Sequence, residues 1–283
     1  MNSKELEDFI SKVRADIEVD VIGKSVLGNN IYSFCKRSSD DAPWALVVGG
    51  MHAREHLSAD LVCRFVEKSI SKNLSYNICF VPLINPDGAD LCVNGADGLD
   101  EEARKKIIAI NGGEYFSLYK ANANGVDLNN NWDANWNKKF TSKTSPSSQG
   151  FYGVKPMSEP EVVTLSELTK QLNPFLAISY HLKGEEIYFD FFQDEKRYLR
   201  DKLIARAFAK TSGYAIKPTQ NVSSGGFKDW CVGVLKIPAL TIELGSDDFA
   251  HPYPKSGLDN IYKKNKDFFK NVEKSLKIYR HFS

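Results

Sequence analysis

The chain concentrates its chemistry in one short stretch, Val47-Val48-Gly49-Gly50-Met51-His52-Ala53-Arg54-Glu55-His56. Imidazole nitrogens and carboxylate oxygens at this spacing are ligands for a divalent metal such as zinc. Two metal readings are open. If His52 lies on a loop, it converges with Glu55 on one ion. If the whole cluster is helical, His52 and His56 lie one turn apart and ligate, with Glu55 as the base. A structural His/Glu pair without metal is the third possibility. Gly49-Gly50 directly before the motif favours the loop geometry. The preferred pair is therefore His52 with Glu55, and His56 falls in the first helical turn.

These side chains need a frame. Ala45 to Val48 is an apolar run of strand character, and Leu57, Leu61, Val62, Phe65, Val66 and Ile70 follow at helical spacing. The motif thus sits where a strand hands over to a helix, and open α/β sheets gather ligand chemistry at the carboxyl ends of their strands. Two further apolar runs end the same way, Phe175 to Tyr180 before His181 and Ile237 to Ile242 before Glu243. Catalytic zinc usually takes three protein ligands and leaves a fourth position for water. His52, Glu55 and His181 supply that set, and Glu243 is placed to act as general base and pass a proton to a leaving amine. A hydrolytic site also needs positive charge for the oxyanion, for which Arg54 and Lys120 are the candidates. Taken singly, His181 reads as a core histidine, Glu243 as a paired charge, and each cation as solvated surface. Their recurrence at three strand ends is what points to a site.

The remaining segments build one α/β domain across residues 1–283. Ser3 can cap a first helix carrying Leu6, Phe9, Ile10 and Val13, and residues 19–38 read as a hairpin. Tyr76 to Leu83 is a strand ended by the turn Asn85-Pro86-Asp87-Gly88. Residues 94–118 form a surface excursion with a charged helical piece, and Asn122 to Met157 is a long loop of the kind that tends to be functional. Ser158-Glu159-Pro160-Glu161 reads as a capping box. Tyr198 to Ser212 is a helix stopped by Gly213, and Leu258 to Tyr279 is a closing amphipathic helix. With 42% hydrophobic and 26% charged residues and a net charge of +1, nothing suggests nucleic acid or an anionic membrane as partner. Five cysteines without CxxC spacing point to reduced thiols, and the lack of an apolar leader or a long apolar span points to a cytoplasmic location.

Five segments together resemble the zinc metallocarboxypeptidases of the carboxypeptidase A type. They are His52-Ala53-Arg54-Glu55, Asn85-Pro86-Asp87-Gly88, the run from Asn122 to Asn129, Ser224-Gly225-Gly226, and Thr241-Ile242-Glu243-Leu244-Gly245. The resemblance runs from about Ile22 to the C-terminus. It implies an α/β/α domain around a mixed, mostly parallel sheet of about eight strands. It also implies that His52, Glu55 and His181 bind zinc, that Glu243 is the general base, that Arg54 contacts substrate beside the metal, and that Asn129 helps hold the substrate carboxylate.

The departures from that family are informative. In true carboxypeptidases an arginine follows the matched asparagine and clamps the terminal carboxylate; here that place is Asn130. A neutral amide cannot reproduce a bidentate guanidinium–carboxylate pair. Lys120 stands where the family has its oxyanion arginine, and the tyrosine that closes over substrate aligns roughly with Asn221. The segments Phe116 to Asn122 and Ser179 to Tyr188 resemble instead the bacterial γ-D-glutamyl-L-diamino acid peptidases, which cut cell-wall stem peptides before meso-diaminopimelate or lysine. On that reading Lys183 would meet a substrate carboxylate and Asp247 or Asp248 the distal amine. An ordinary carboxypeptidase acting on L-peptides and a non-catalytic module binding cell-wall peptides are the alternatives.

Overall fold

The computed structural model describes residues 1–138, 143–219 and 225–283. Its strands are β1 (Glu18–Lys24), β2 (Asn30–Lys36), β3 (Trp44–Val48), β4 (Asn77–Val81), β5 (Leu176–Leu182), β6 (Glu186–Tyr188), β7 (Ala215–Ile216) and β8 (Ala239–Leu244). The helices are α1 (Ser3–Val13), α2 (His56–Ile70), α3 (Pro86–Asn94), α4 (Glu101–Asn111), α5 (Pro160–Leu172), α6 (Glu195–Ser212), α7 (Phe227–Trp230), α8 (Leu258–Asn265) and α9 (Phe268–Phe282). The strands form one sheet in the order β1-β2-β4-β3-β5-β8-β6-β7. Its centre, β4, β3, β5 and β8, is parallel, whereas β1–β2, β2–β4 and β6–β8 pair antiparallel. Strands covered by helices on both faces lose the polar alternation of half-exposed strands. That is why the central ones appear in the sequence as unbroken apolar runs.

Within β3 the side chains alternate between two cores, Ala45 and Val47 on one face and Leu46 and Val48 on the other. The first face is covered by α2, α6 and α9, where Phe65 stacks on Phe268 with ring centres 4.2 Å apart. Val162 and Leu165 of α5 cover the second, with Trp132, Phe227 and Trp230. Residues 94–118 form α4 and its flanks over a small core of Leu91, Ile107, Phe116 and Tyr119. The five cysteines are free thiols, with Cys35 and Cys79 facing each other across β2 and β4. Among the described residues no helix is long and apolar enough to cross a membrane.

Several local expectations are corrected. Asn2 rather than Ser3 caps α1, accepting from Glu5 N while Glu5 reaches back to Asn2 N. Asn85-Pro86-Asp87-Gly88 does not merely turn the chain but opens α3, with Asn85 accepting from Gly88 N and Pro86 in the first turn. The box at 158–161 does not form, because Glu159 is the cap without a side-chain bond and Glu161 is recruited elsewhere. His181 lies inside β5, not beyond its end. The C-terminal helix is two helices, divided at Lys266 and Asp267.

Candidate metal centre

The loop that carries His52 starts with a forced turn. Gly50 sits at φ +58°, and a Cβ there would lie 2.6 Å from Leu83 Cδ1 and 3.0 Å from Pro82 O. Only glycine fits so close to the next strand's exit. The loop is then pinned by Gly50 N to Ser58 Oγ at 2.9 Å, Ser58 Oγ to Glu55 O at 2.7 Å and Ala53 N to Lys120 O at 3.1 Å. Glu55 caps α2 without using its side chain, which leaves the carboxylate to face the sheet edge.

There it meets both imidazoles. His52 Nδ1 is 2.8 Å from Glu55 Oε1, His181 Nδ1 is 3.1 Å from Glu55 Oε2, and the two Nδ1 atoms are 3.2 Å apart. All three side chains are buried. Bonds of about 2.0–2.1 Å at tetrahedral angles put zinc ligand atoms about 3.3 Å from one another. One ligand atom from each of the three side chains lies within 4.8 Å of the other two, a buried His-Glu-His group that fits a zinc site. Each imidazole is also held from behind, as metal-ligating histidines usually are. His52 Nε2 is 3.1 Å from Asp127 Oδ1, and His181 Nε2 is 2.7 Å from Ser179 Oγ. His56 takes no part, since its Nδ1 faces Ala53 O at 3.1 Å.

Charge balance keeps the cluster ionised. Burial alone would raise the carboxyl groups of Glu55 and Asp127, yet both lie well below the ordinary range. His52 and His181 do this for Glu55, and Lys120 with His52 does it for Asp127. Lys120 Nζ is 2.9 Å from Asp127 Oδ2. Glu243 behaves differently. Its partner across β5–β8 is His181, and in-register residues of parallel strands project on one side of the sheet. Burial pushes its carboxyl up to about 7, the charge of Glu55 adding to the effect and those of His181 and Lys120 opposing it. Its Oε2 is buried without a hydrogen-bond partner among the described residues.

Beside Glu243 opens a cavity of about 320 Å³, with Asn129, Tyr188, Lys228, Asp229 and Thr241 on its walls. Asn129 lies in the turn Leu128–Asn130 and accepts from Phe227 N at 3.0 Å, so its amide NH₂ is the group left to donate. Asn130 follows it, half-buried, with its N–H on Asp127 O. Arg54 is not among the residues on the cavity wall, and its Nη1 donates to Leu118 O and Gln149 Oε1. Lys183 and Asp247 pair with each other at 3.1 Å, Asp248 accepts from Ser246 Oγ, and none of the three lines the cavity. Asn221 and Ser224 lie outside the described residues. Sequence reasoning did not single out Asp127, Lys228 or Asp229. The first had a signal, an acid between Val126 and Leu128; the other two are an ordinary Lys-Asp step between Phe227 and Trp230.

Residues 6–268 match the zinc carboxypeptidase family, and the chain belongs to that family of metallopeptidases. Gamma-D-glutamyl-L-diamino acid endopeptidase 1 of Lysinibacillus sphaericus is 31% identical over 231 residues, which cover 75% of this chain and 57% of that protein. The chain thus spans little more than half the length of this relative. Bovine thrombin-activatable fibrinolysis inhibitor, solved in complex with tick carboxypeptidase inhibitor, superposes with a TM-score of 0.74 at 19% identity, covering 100% of this chain and 97% of its own. Murein-tripeptide amidase MpaA from Escherichia coli O157 gives 0.57 at 22% identity, with 90% of each chain covered. These two likenesses are of fold: the expected α/β domain with its mixed eight-stranded sheet is the one found.

Proposed function

We propose that the chain hydrolyses the bond between γ-D-glutamate and a diamino acid in peptidoglycan stem peptides. The observation that carries this reading is Asn130, a neutral amide where an ordinary carboxypeptidase clamps its substrate with arginine, in a chain that keeps the buried His52, Glu55 and His181 group and Glu243. The similarity to an endopeptidase of that specificity supports it.

His52 and His181 would hold the zinc through their facing Nδ1 atoms and Glu55 through its carboxylate. When bound, zinc supplies Lewis acidity and makes water nucleophilic near neutral pH. Glu243 Oε2 takes the proton that the attacking water loses and delivers it to the nitrogen of the leaving diamino acid. Asp127 fixes the imidazole of His52 so that Nδ1 faces inward. Lys120, with one ammonium hydrogen on Asp127, and Arg54, two residues along the chain from His52, bring positive charge to the developing oxyanion. One such donor is typically worth about 10²–10³ in rate.

The test is incubation of the zinc-loaded protein with L-Ala-γ-D-Glu-meso-diaminopimelate, followed by mass spectrometry. Release of L-Ala-D-Glu is expected. Removal of C-terminal residues from ordinary L-peptides, with the muropeptide left intact, replaces this reading with a plain carboxypeptidase.

A further inference from the structure

Away from the metal centre, two thiols stand in contact. Cys35 of β2 and Cys79 of β4 are direct partners in the antiparallel ladder, between the pairs Phe34–Phe80 and Lys36–Ile78. Directly opposed residues of such a ladder have Cα atoms about 4.5 or 5.5 Å apart. Both separations lie within the roughly 4.4–6.8 Å that a disulfide bridges. The two side chains pack into one core, that of Leu46, Val81 and Leu165, and their Sγ atoms are 2.6 Å apart. Cys79 is fully buried and Cys35 half-buried, so a reagent in solution reaches the pair through Cys35. The hydrogen bond with Cys35, together with burial, keeps the Cys79 thiol well above its ordinary range, which suits it to react second. The pair also sits at a seam. The β1–β2 hairpin joins the sheet through three residue pairs of β2 and β4, against five between β3 and β4. A buried thiol packs like any small apolar residue. What two opposed sulfurs add is the capacity to be joined.

We propose that Cys35 and Cys79 are a modification site for small-molecule disulfides, which convert the two thiols into a cross-strand disulfide that staples the β1–β2 hairpin to the sheet. Glutathione disulfide is an oxidant of the required class. The Cys35 thiolate attacks one of its sulfurs, forming a mixed disulfide and expelling one glutathione thiolate. Cys79 gives up its proton and attacks Cys35 Sγ, and the second glutathione leaves as a thiolate. The two cysteines lose two electrons and two protons, and the oxidant departs as two molecules of glutathione. The bond closes a loop of about 45 residues that holds β3, His52, Glu55 and α2. Closing such a loop removes entropy from the unfolded chain and so favours the folded one. The segment that supplies two of the three metal-facing side chains is then tied at both ends.

The experiment exposes the folded, zinc-loaded protein to excess glutathione disulfide. The reaction is quenched with acid, remaining thiols are alkylated in denaturant, and chymotryptic peptides are mapped by tandem mass spectrometry. The peptides of Cys35 and Cys79 are expected to be joined in most of the protein, while the buried Cys63 and Cys231 remain open to alkylation. The melting temperature should rise by roughly 5 °C and return to its starting value with dithiothreitol. In Cys79→Ala the reaction should stop with one glutathione on Cys35, and in Cys35→Ser the melt should no longer respond to the oxidant. Should either variant fail to fold, the unaltered protein decides the matter alone. Cys35 and Cys79 both still free after prolonged exposure would overturn the proposal, and so would a glutathione that persists on Cys35 of the unaltered protein. A linkage that forms but lowers the melting temperature would overturn it as well, since the bond would then strain the seam it was meant to hold. These readouts are independent of which bond the protein cleaves.

Discussion

Two buried carboxylate clusters lie along the same loop, and they solve the same problem in opposite ways. At the metal centre, Glu55 and Asp127 are sunk among His52, His181 and Lys120, and the positive charges keep both acids ionised. A few residues away, Asn122 Nδ2 bridges Glu159 Oε2 at 2.8 Å and Glu161 Oε2 at 3.1 Å, with Val26 N on Glu161 Oε1 at 3.2 Å. These donors are neutral amides, and burial pushes Glu161 up to about 7. Amide hydrogens can orient a carboxylate, but they do not replace the water it gave up. The contrast separates acids buried to hold charge from an acid buried to hold a loop in place.

The strongest way to sharpen it is at the metal centre. Glu243→Gln should lower kcat by about 10³-fold or more while zinc stoichiometry stays near that of the unaltered protein, read by turnover assays beside elemental analysis. If metal content fell with activity, Glu243 would belong to the ligand shell instead. Asp127→Asn should act more mildly and through the metal. Its amide can still contact His52 but carries no charge, so zinc affinity is expected to drop about 10–100-fold, with activity returning in excess zinc. Competition with a chelator of known affinity measures this. An unchanged affinity would mean that the Asp127 charge serves Lys120 alone.

The smallest effect belongs to the other cluster, and it has the opposite sign. Below pH 4.5 Glu161 is protonated in both the folded and the unfolded chain. Between 4.5 and about 7 the unfolded chain releases its proton while the folded chain keeps it, so stability declines as pH rises through that window. Each pH unit of that window is worth about 1.4 kcal/mol, which sets a ceiling on the order of 3 kcal/mol. Glu161→Gln has no charge to bury but only one oxygen to accept from Val26 N or Asn122 Nδ2, so its stability relative to the unaltered protein is expected to be on the order of 1 kcal/mol better at pH 8 than at pH 4. Denaturant titrations at the two pH values check it. A difference that does not improve from pH 4 to pH 8 would show that Glu161 is held ionised after all.

How much of this was legible beforehand depended on whether local pattern and tertiary demand agreed. They agreed in β3, β4, β5 and β8, where burial on both faces writes itself as an apolar run, and at His52, where two glycines announce the turn. They disagreed at residues 158–161, where Ser158 and Glu161 had the letters of a capping box. Asn131 Nδ2 reaches Ser158 Oγ at 3.0 Å, and Asn122 claims Glu161 from across the loop. Asn85-Pro86-Asp87-Gly88 is ambiguous by nature, since the residues that make a turn also start a helix. The division at Lys266 and Asp267 has no glycine or proline to mark it. Asp127 could have been read from its apolar neighbours. Lys228 could not, because only the tertiary fold brings α7 to the cavity beside Glu243.

The placement of His181 within β5, opposite Glu243 of β8, has a consequence for how the molecule comes to exist. Sliding one strand past the other by a single residue would send the imidazole and the carboxylate through opposite sides of the sheet. A nearly folded chain with that error would be inert rather than weakened, so catalysis switches on only when the last central strand has docked in its proper frame.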